Sequence, residues 1–239
     1  MLLADITFPS PEENLACDEA LHEMCEEKSE SELLRFWEPA RHFIVLGHGS
    51  HVRDDVHVDA ASHLGVPLVR RYSGGGTVVQ GPGCLNYTLV LRIPERGPLT
   101  TITGTTAHVM GRNARALQTL TSEPIRVCGF SDLTIDDKKF SGNAQRRTRR
   151  CVLFHGTVLT GMDLALIDAV LRLPARQPEY RHNRSHSAFL RAFPATASEV
   201  KNALRLEWGA NAPFGEIPDK DIRRIAKSRY SNPEWTFHR

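Results

Sequence analysis

Apolar residues at helical spacing follow a helix start signal near the amino terminus. In the Ser-Pro-Glu-Glu segment at residues 10–13, the serine can cap the first turn, the proline suits that turn, and the second glutamate stands at the capping-box position. The apolar residues that follow fall on one helix face, with the acids largely elsewhere: Cys17, Ala20, Leu21, Met24 and Cys25. The pattern predicts a helix from this start signal onward.

Short apolar runs with turn residues between them predict strands. Residues 34–37 and 43–46 are two such runs, separated by a Glu-Pro-Ala-Arg turn. Residues 66–72 form a third run, which leads into three consecutive glycines. At residues 85–92, leucine and tyrosine alternate with other residues at the period of a strand that buries one face. This part of the chain is therefore expected to form several strands.

The second half of the chain mixes the two kinds of pattern. Apolar residues at helical spacing predict a helix over residues 105–120. A hairpin that turns at Asp136-Asp137 is predicted over residues 133–141, and the next strand over residues 152–160. Three later segments have helix-like patterning: residues 163–173, 198–206 and 219–230. Because hairpin-like pairs replace strict strand and helix alternation, the pattern predicts an α+β fold with mixed, mainly antiparallel β-sheets flanked by helices.

Length and composition fit one ordinary globular domain. The 239 residues can bury one full core, and 41% hydrophobic with 24% charged residues argues against extended disorder. No apolar run approaches the length of a bilayer span, and an acid follows residues 1–4 before a signal-like core can develop. We therefore expect residues 1–239 to form a single cytoplasmic domain with no membrane partner.

Charge and cysteine content narrow the possible partners and metals. A net charge of +2 gives no general attraction for nucleic acid, so no nucleic-acid partner is expected. The arginine cluster at residues 146–150 fits either a solvated loop or a patch that binds an acidic protein or phosphates.

The five cysteines are scattered and lack a CxxC pair, so we expect reduced thiols, and we expect neither disulfides nor a zinc site. The histidines lack metal-site spacing, so no structural metal is expected.

A glycine-rich segment at residues 70–87 is the strongest candidate for chemistry. Three adjacent glycines, Gly74, Gly75 and Gly76, lose entropy on folding and add no packing, so close approach of a ligand would explain them. Two arginines precede them, and guanidinium groups beside bare amides favour an anionic group. Neither a Walker loop nor a complete dinucleotide fingerprint is present. The alternative interpretation is a tight turn without a ligand.

A second candidate lies in the predicted hairpin and its flanks, at residues 132–145. Lys139 precedes Phe140 and a small Ser-Gly pair, so its ammonium could project into a site with space for a substrate. A fixed cation there would stabilise the charge that develops when a carboxylate attacks ATP or an amine attacks an acyl phosphate. The alternative is an ordinary surface lysine. We predict that a glycine hairpin and the Lys139 ammonium meet around the same carboxyl group.

Together these blocks resemble the lipoate protein ligase family of the biotin and lipoate protein ligase superfamily. The family signatures are RR-x-SGGG-x-V, a G-x-LNY-like element, K-x-x-G-x-A and HGT. The matching segments occur here in the same order: residues 70–78, 83–87, 139–144 and 155–157. The first helix, the strand that follows it, and the pair Tyr230 and Trp235 near the carboxyl terminus also resemble the family. The similarity covers essentially the whole chain.

The resemblance implies a two-step reaction that uses ATP and Mg²⁺. Lipoate, or octanoate, and ATP would give an acyl-adenylate and pyrophosphate, and a lysine of a lipoyl carrier domain would then take the acyl group as an amide. The implied partner is the carrier domain of a 2-oxoacid dehydrogenase E2, the glycine cleavage H protein or a similar protein. Residues 1–239 would form one catalytic domain with no accessory carboxy-terminal domain, which is then absent or a separate subunit.

Motif positions imply the residue roles. Lys139 would be the catalytic residue, in contact with the acyl carbonyl and the α-phosphate. Trp37 would line the acyl pocket, and Asp132 would help to hold Mg²⁺. The other implied residues would line the cleft for lipoate and nucleotide, with the valines beside the acyl chain: Arg71, Ser73, Gly74, Gly75, Gly76, Thr77, Val78, Val79, Asn86, Ser141, Gly142, Ala144, His155 and Thr157.

Three departures from the family pattern affect the expected adenylate contacts. Gln80-Gly81 replaces a His-Asp pair, residues 47–50 read Gly-His-Gly-Ser instead of Gly-Arg-x-Gln, and Phe130-Ser131 replaces Arg-Asn. A further polar stretch after Pro178 has no role that the sequence reveals; its residues are Arg181, Arg184, Ser185 and His186.

Alternative functions remain open at this point. An octanoyltransferase would move an acyl group from acyl carrier protein without ATP, and Cys128 would then be the candidate nucleophile. The opposing interpretation of Cys128 is inert packing. A biotin ligase fits the RR-x-SGGG block less well. A non-catalytic lipoyl-binding protein would keep the cleft and lose turnover.

Overall fold

Two β-sheets form the framework of the part of the chain that this computed structural model describes, residues 1–27 and 32–239. The strands are β1 (Leu2–Asp5), β2 (Leu33–Trp37), β3 (Phe43–Leu46), β4 (Leu68–Arg70), β5 (Val78–Gln80), β6 (Cys84–Arg92), β7 (Arg126–Cys128), β8 (Asp132–Ile135), β9 (Lys138–Arg147), β10 (Cys151–Leu159) and β11 (Ala212–Pro213). The α-helices are α1 (Pro11–Glu27), α2 (Val52–Asp55), α3 (Val58–His63), α4 (Ile102–Gln118), α5 (Leu164–Val170), α6 (His186–Phe189), α7 (Ala197–Trp208), α8 (Asp219–Ile225) and α9 (Pro233–Phe237). Shorter turns are the 3₁₀ turns Pro98–Thr100 and Glu179–Arg181 and the π turn Ala226–Tyr230.

The larger sheet is mixed and mainly antiparallel. Its strand order is β11-β1-β2-β6-β10-β9-β8-β7. β1 runs parallel to β2 and β11, whereas every other neighbouring pair in the sheet is antiparallel. The predicted α+β fold, with mixed and mainly antiparallel sheets flanked by helices, is therefore confirmed.

The central strand β6 is buried on both faces. Leu85, Tyr87 and Leu89 pack with residues of α4 and α7, while Val90 packs with residues of α1. The expectation of a single buried face was therefore wrong. Because helices cover both sides of this strand, the residues between the leucines are as buried as the leucines themselves.

The smaller sheet has the strand order β4-β3-β5. β4 runs parallel to β3 and β5 runs antiparallel to it, so the two strands flank β3 instead of pairing with each other. The segment between β4 and β5, residues 71–77, is called the glycine loop below. It is a crossover loop and not the hairpin that the sequence led us to expect, because its flanking strands bond to a third strand.

The predicted helices form close to their predicted positions. Oγ of Ser10 accepts a hydrogen bond from the Glu13 amide at the start of α1, and α4, α5, α7 and α8 match the later segments. α1 is more deeply buried than predicted, because Asp18 and Glu19 are buried with its apolar residues. Within the described residues, none of the helices has both the length and the hydropathy of a membrane span.

A disulfide joins α1 to the larger sheet. Cys25 in α1 and Cys151 in β10 are both buried, and their Cα atoms lie 6.4 Å apart. The expectation of reduced thiols was therefore wrong for this pair. No local spacing could reveal it, because 126 residues separate the two cysteines. Cys17, Cys84 and Cys128 are free thiols.

Candidate active site

A cavity of about 850 Å³ is lined by the glycine loop, by β6, β9 and β10, and by residues of the segment 171–190. Most residues that the sequence assigned to the site line this cavity. They are Trp37, Arg71, Gly75, Gly76, Thr77, Val78, Val79, Asn86, Asp132, Lys139, Ser141, Gly142, Ala144, His155 and Thr157. The glycine motif and the lysine motif, which lie far apart in the sequence, therefore line one cavity.

Two assigned residues, Ser73 and Gly74, do not line the cavity. Ser73 is fully buried, and its hydroxyl shares a hydrogen bond of 2.7 Å with Nε2 of His155. The Gly74 carbonyl accepts hydrogen bonds from the Arg71 guanidinium. Both residues therefore hold a neighbour that lines the cavity, and neither faces a ligand there.

Arg71 holds the glycine loop through the carbonyls of Gly74 and Gly76. Its Nη2 atom donates to both carbonyl oxygens at 2.7 Å. Burial lowers the pKa of Arg71 to about 10. Within the described part of the chain the guanidinium forms no ion pair, so its charge is met by carbonyl dipoles alone. The positive potential that remains favours an anionic ligand in the cavity.

Gly75 packs against β9 with its backbone. Its φ of +88° is a conformation that L side chains rarely adopt. A Cβ atom at Gly75 would lie 2.8 Å from Nη2 of Arg71 and 3.3 Å from Cβ of Ala144. A second glycine supports the turn, because a Cβ at Gly47 would lie 1.9 Å from the Gly75 carbonyl oxygen. The loop can therefore approach β9 only because these positions lack side chains.

Lys139 extends from β9 along the cavity wall. Its Nζ atom lies 2.8 Å from Oδ1 of Asp132, and the lysine side chain is 24% exposed. A Cβ at Gly142 would lie 2.6 Å from Nζ, so the glycine of the Ser-Gly pair leaves the space that the ammonium occupies. The other oxygen of Asp132 accepts a hydrogen bond of 2.7 Å from Tyr180, a residue that the sequence did not single out.

A buried acid, Asp18, supports His155 from the core. Oδ1 of Asp18 lies 2.5 Å from the Arg35 guanidinium, and Oδ2 accepts from Thr88 and lies 3.8 Å from Nδ1 of His155. Burial alone would raise the pKa of Asp18, but Arg35 and His155 hold the pKa below its ordinary value. Sequence reasoning missed this network. An arginine inside the apolar run 33–37 was the available signal for a buried acid.

The departure from the family pattern at Gln80 is part of a closed hydrogen-bond ring. Nε2 of Gln80 donates to Thr157 at 2.7 Å, Thr157 donates to Oδ1 of Asn86 at 2.5 Å, and Nδ2 of Asn86 donates back to Gln80 at 2.9 Å. All three residues line the cavity. The ring satisfies these polar groups without charge, where the family often has a histidine and an aspartate.

One side of the cavity is apolar. Leu15, Trp37 and Val45 belong to a single core cluster and line the cavity together. Trp37 is 3% exposed, and its indole nitrogen has no hydrogen-bond partner within the described residues. This side can therefore accommodate a hydrocarbon chain, with one N–H donor available.

The segment 171–190 forms a wall that sequence reasoning did not assign to the site. Its lining residues include the cations Arg172, Arg176 and Arg181. Together with Arg71 and Lys139, these cations outnumber the carboxylates that line the cavity. The cavity therefore attracts anions, although the net charge of the whole chain is close to zero.

Asp132 was assigned to Mg²⁺, but its two carboxylate oxygens are engaged by Lys139 and Tyr180. A second lining carboxylate, Asp55, accepts a hydrogen bond of 2.6 Å from Thr77. Among the described residues, no group of three or more histidine, cysteine, aspartate or glutamate side chains could hold a metal ion. A site made of one carboxylate with the phosphates of a nucleotide is still a usual arrangement for Mg²⁺.

Cys128 lies at the end of β7, the edge strand of the larger sheet. Its Sγ atom is 3.3 Å from Oγ1 of Thr134, and the residue does not line the cavity. Its neighbours Gly129 and Asp132 do line the cavity, so the candidate nucleophile of the transferase hypothesis lies at the margin of the site and not on its wall.

Comparison with known sequences relates this geometry to a protein family. The model of the lipoyl protein ligase A/B catalytic domain matches residues 10–205. Lipoate-protein ligase A subunit 1 of Thermoplasma acidophilum is 28% identical over 242 residues, which cover 94% of this chain and 91% of that protein. Octanoyltransferase LipM of Anoxybacillus flavithermus is 26% identical over 269 residues, which cover 96% of this chain and 95% of the relative.

Solved structures share the fold. A bi-partite lipoate protein ligase from Thermoplasma acidophilum, described with its E2 lipoyl domain, has a TM-score of 0.83 at 22% identity and covers 99% of this chain and 95% of its own. A lipoate-protein ligase A bound with ATP has a TM-score of 0.82 at 22% identity and covers 99% and 98%. At this level of identity the similarity establishes the common fold.

Proposed function

The chain belongs to the family of the lipoyl protein ligase A/B catalytic domain, and we propose that it is an ATP-dependent ligase of lipoate or octanoate. The acid and ATP would give an acyl-adenylate and pyrophosphate, and the acyl group would then pass to a lysine of a lipoyl carrier domain. The relatives described above include a lipoate ligase and an octanoyltransferase, so the family is enzymatic. The use of ATP is what distinguishes the proposed ligase from an octanoyltransferase.

One observation carries this proposal: Lys139 and the glycine loop line the same cavity. Arg71 places a buried cation beside bare loop amides, and Lys139 adds a second cation on β9. The apolar side of the cavity can take a hydrocarbon chain, while the cations favour a carboxylate and a phosphate. An acyl-adenylate combines these three chemical groups in one molecule.

In the first step, a carboxylate oxygen of the acid attacks the α-phosphorus of ATP. The bond from that phosphorus to the oxygen that bridges to the β-phosphate breaks, and pyrophosphate leaves with the electron pair. Negative charge shifts among the phosphate oxygens as this happens, and fixed cations at Lys139 and Arg71 would stabilise it. The absence of a side chain at Gly75 would let the phosphate approach the loop amides.

In the second step, the neutral ε-amine of the carrier lysine attacks the acyl carbonyl carbon. The bond between that carbon and the phosphate oxygen breaks, AMP leaves with the electron pair, and the amine nitrogen loses a proton to solvent. Negative charge develops on the carbonyl oxygen during the attack. The Lys139 ammonium would stabilise this oxygen, which gives the same residue a role in both steps.

Mg²⁺ would accompany ATP and neutralise phosphate charge. Asp55 is the lining carboxylate that fits such an ion with the least change, because both oxygens of Asp132 already hold Lys139 and Tyr180. ATP is supported as a substrate by the fold shared with a ligase solved with ATP. The family resemblance supports Mg²⁺ as its companion.

Octanoyl transfer is the second candidate, because an octanoyltransferase matches nearly the whole chain. That reaction would take the acyl group from acyl carrier protein and use no ATP, with Cys128 as the nucleophile. The position of Cys128 beside Thr134, outside the cavity lining, favours the ligase. A thiol must reach the acyl carbonyl to attack it, and Lys139 lines the cavity whereas Cys128 does not.

We propose a lipoyl carrier domain as the protein partner. The solved ligase from Thermoplasma acidophilum was described with an E2 lipoyl domain and is bi-partite, which supports both a carrier of this type and a separate accessory subunit. The E2 domain of a 2-oxoacid dehydrogenase and the H protein are the carriers to test first. The single-domain organisation and the cytoplasmic location stay predictions from the sequence.

Intact-mass measurement of a carrier domain tests the proposal. The protein is incubated with Mg²⁺, octanoate and the carrier, with and without ATP, and in parallel with octanoyl-acyl carrier protein. We expect octanoylation to require ATP and the free acid, and Cys128→Ala to retain it. Octanoylation from acyl carrier protein without ATP, abolished by Cys128→Ala, would establish the transferase instead.

A further inference from the structure

Tyr180 connects a segment without an assigned role to the lysine of the candidate site. It lies in the 3₁₀ turn Glu179–Arg181, behind the cavity wall that Glu179 and Arg181 line on either side of it. The Tyr180 hydroxyl donates to Oδ2 of Asp132 at 2.7 Å, and Oδ1 of Asp132 lies 2.8 Å from Nζ of Lys139. One carboxylate therefore links the phenol to the ammonium.

Further contacts fix the segment against β9, the strand of Lys139. The Arg184 guanidinium donates to the Asp137 carbonyl at 2.9 Å. The Arg191 amide donates to the Lys139 carbonyl at 3.0 Å, and Leu190 forms a β-bridge with Lys139. The phenol therefore approaches the carboxylate from a backbone that is itself bonded to the lysine strand.

The aromatic ring of Tyr180 is also held. Its centroid lies 5.2 Å from that of Phe189, and the Phe189 ring in turn lies 4.7 Å from the guanidinium of Arg181. These ring contacts hold the hydroxyl where it donates to Asp132.

The ion pair needs this support because its members are only partly buried. The side chains of Lys139 and Asp132 are 24% and 13% exposed. A carboxylate rotates easily about its last torsion, and a lysine side chain has several rotatable bonds. A fixed donor on Oδ2 removes the rotation of the carboxylate, so that Oδ1 faces the ammonium in the space that Gly142 leaves.

We propose that Tyr180 is a positioning residue for acyl activation, which acts through Asp132 on Lys139. Tyr180 holds one carboxylate oxygen, the other oxygen aligns the ammonium, and the ammonium is then oriented before the substrates bind. This role rests on the proposed function, because that function gives Lys139 its part in the chemistry. The contacts themselves are independent of it.

The kinetic test uses Tyr180→Phe, which removes the hydroxyl and keeps the ring. Octanoate-dependent exchange of pyrophosphate into ATP measures the first step. We expect kcat to fall about tenfold, as for a lost hydrogen bond to a charged group, while KM for ATP and octanoate changes less than about twofold. In an Asp132→Asn background, Tyr180→Phe should cause little further loss, because the phenol acts through that carboxylate.

Tyr230→Phe is a matched control. The Tyr230 hydroxyl donates to Oε2 of Glu19 at 2.6 Å, so this variant also removes a hydrogen bond from a buried phenol to a carboxylate. Neither Tyr230 nor Glu19 lines the cavity. We expect its kcat to equal that of the wild type, and thermal melting of both variants separates loss of folding from loss of positioning.

A labelling experiment tests the position of Lys139 without turnover. Trace acetic anhydride acylates free amines, and peptide mass spectrometry compares Lys139 with the exposed neighbour Lys138 as internal reference. Release of the ammonium from its ion pair should raise the ratio of Lys139 to Lys138 labelling about threefold in Tyr180→Phe. Tyr230→Phe should leave this ratio unchanged.

Several results would overturn the inference. They are an unchanged kcat in Tyr180→Phe, an equal loss of kcat in Tyr230→Phe, a full further loss in the Asp132→Asn background, or an unchanged labelling ratio. If the wild type shows no octanoate-dependent exchange at all, the proposed function fails. The labelling ratio then decides by itself whether Tyr180 positions Lys139.

Discussion

At the scale of single residues, the buried charged side chains of the site differ in whether they have a partner of opposite charge. Asp18 and Arg35 balance each other in the core, and their buried pair holds His155 in place. Among the residues that the structure describes, the partners of Arg71 are carbonyls, so its charge can act on a group that enters the cavity. Asp18 and Arg35 are therefore a structural pair, whereas Arg71 is a cation that lines the cavity.

Lys139→Ala tests the charge on β9. The account predicts a loss of at least about a hundredfold in octanoate-dependent pyrophosphate exchange, because the variant removes a cation that would stabilise the developing charge in both steps. Lys138→Ala is the matched control, since Lys138 is exposed at the neighbouring position of the same hairpin. Its exchange rate should match the wild type. Comparable losses in both variants would remove Lys139 from the chemistry.

Asp18→Asn tests the buried pair through its pH dependence. The pKa of Asp18 is held below its ordinary value, so the pair stabilises the fold above the pKa of the unfolded chain and loses this effect as pH falls through the folded pKa. The variant should lose about 3 kcal/mol of unfolding free energy at neutral pH. Urea unfolding should show the difference shrinking below about pH 4. A constant difference across that range would contradict the assignment.

At the scale of elements, local patterns predicted the helices and strands better than the pairing of the strands. Ser10 and the apolar run behind it were enough for α1, because a cap and a helical period involve near neighbours. The glycine loop was expected to close a hairpin, but β4 and β5 both bond to β3. The order of strands in a sheet depends on contacts between distant residues, so the local sequence pattern does not predict that order.

Gly75→Ala tests whether the glycine loop needs its bare backbone. The new Cβ would adopt a φ of +88° and meet Arg71 and Ala144 at 2.8 and 3.3 Å. We expect octanoate-dependent exchange to fall about tenfold or more, because the loop and Arg71 must shift. Gly161→Ala is the control, since nothing lies within 4 Å of its added Cβ and the residue does not line the cavity. Wild-type exchange by Gly75→Ala would show that the loop tolerates a side chain there.

At the scale of the whole molecule, the motifs predicted the fold and the meeting of the glycine loop with Lys139. They did not predict the wall 171–190 or the link from Tyr180 to Asp132, because these contacts join segments with no shared motif. The motifs did not predict the disulfide between Cys25 and Cys151 for the same reason. Sequence motifs identify the residues that bind a common ligand. The contacts that support those residues can be identified only from the folded structure.

The disulfide itself is expected to contribute to global stability. It closes a long loop between α1 and β10, and removal of such a bridge usually lowers the unfolding free energy by about 2–5 kcal/mol. Reductant should therefore lower the denaturation midpoint of the wild type. Cys25→Ala should have a midpoint that reductant does not change. Equal midpoints for the wild type with and without reductant would show that the bridge is absent in solution.

The most direct test of the account follows the carboxyl oxygen. Octanoate labelled with heavy oxygen in its carboxyl group is supplied with ATP, Mg²⁺ and a lipoyl carrier domain, and the AMP product is weighed by mass spectrometry. If an acyl-adenylate forms between Lys139 and the glycine loop, the AMP carries one heavy oxygen atom from octanoate. Octanoylated carrier accompanied by unlabelled AMP, or by no AMP, would contradict the account.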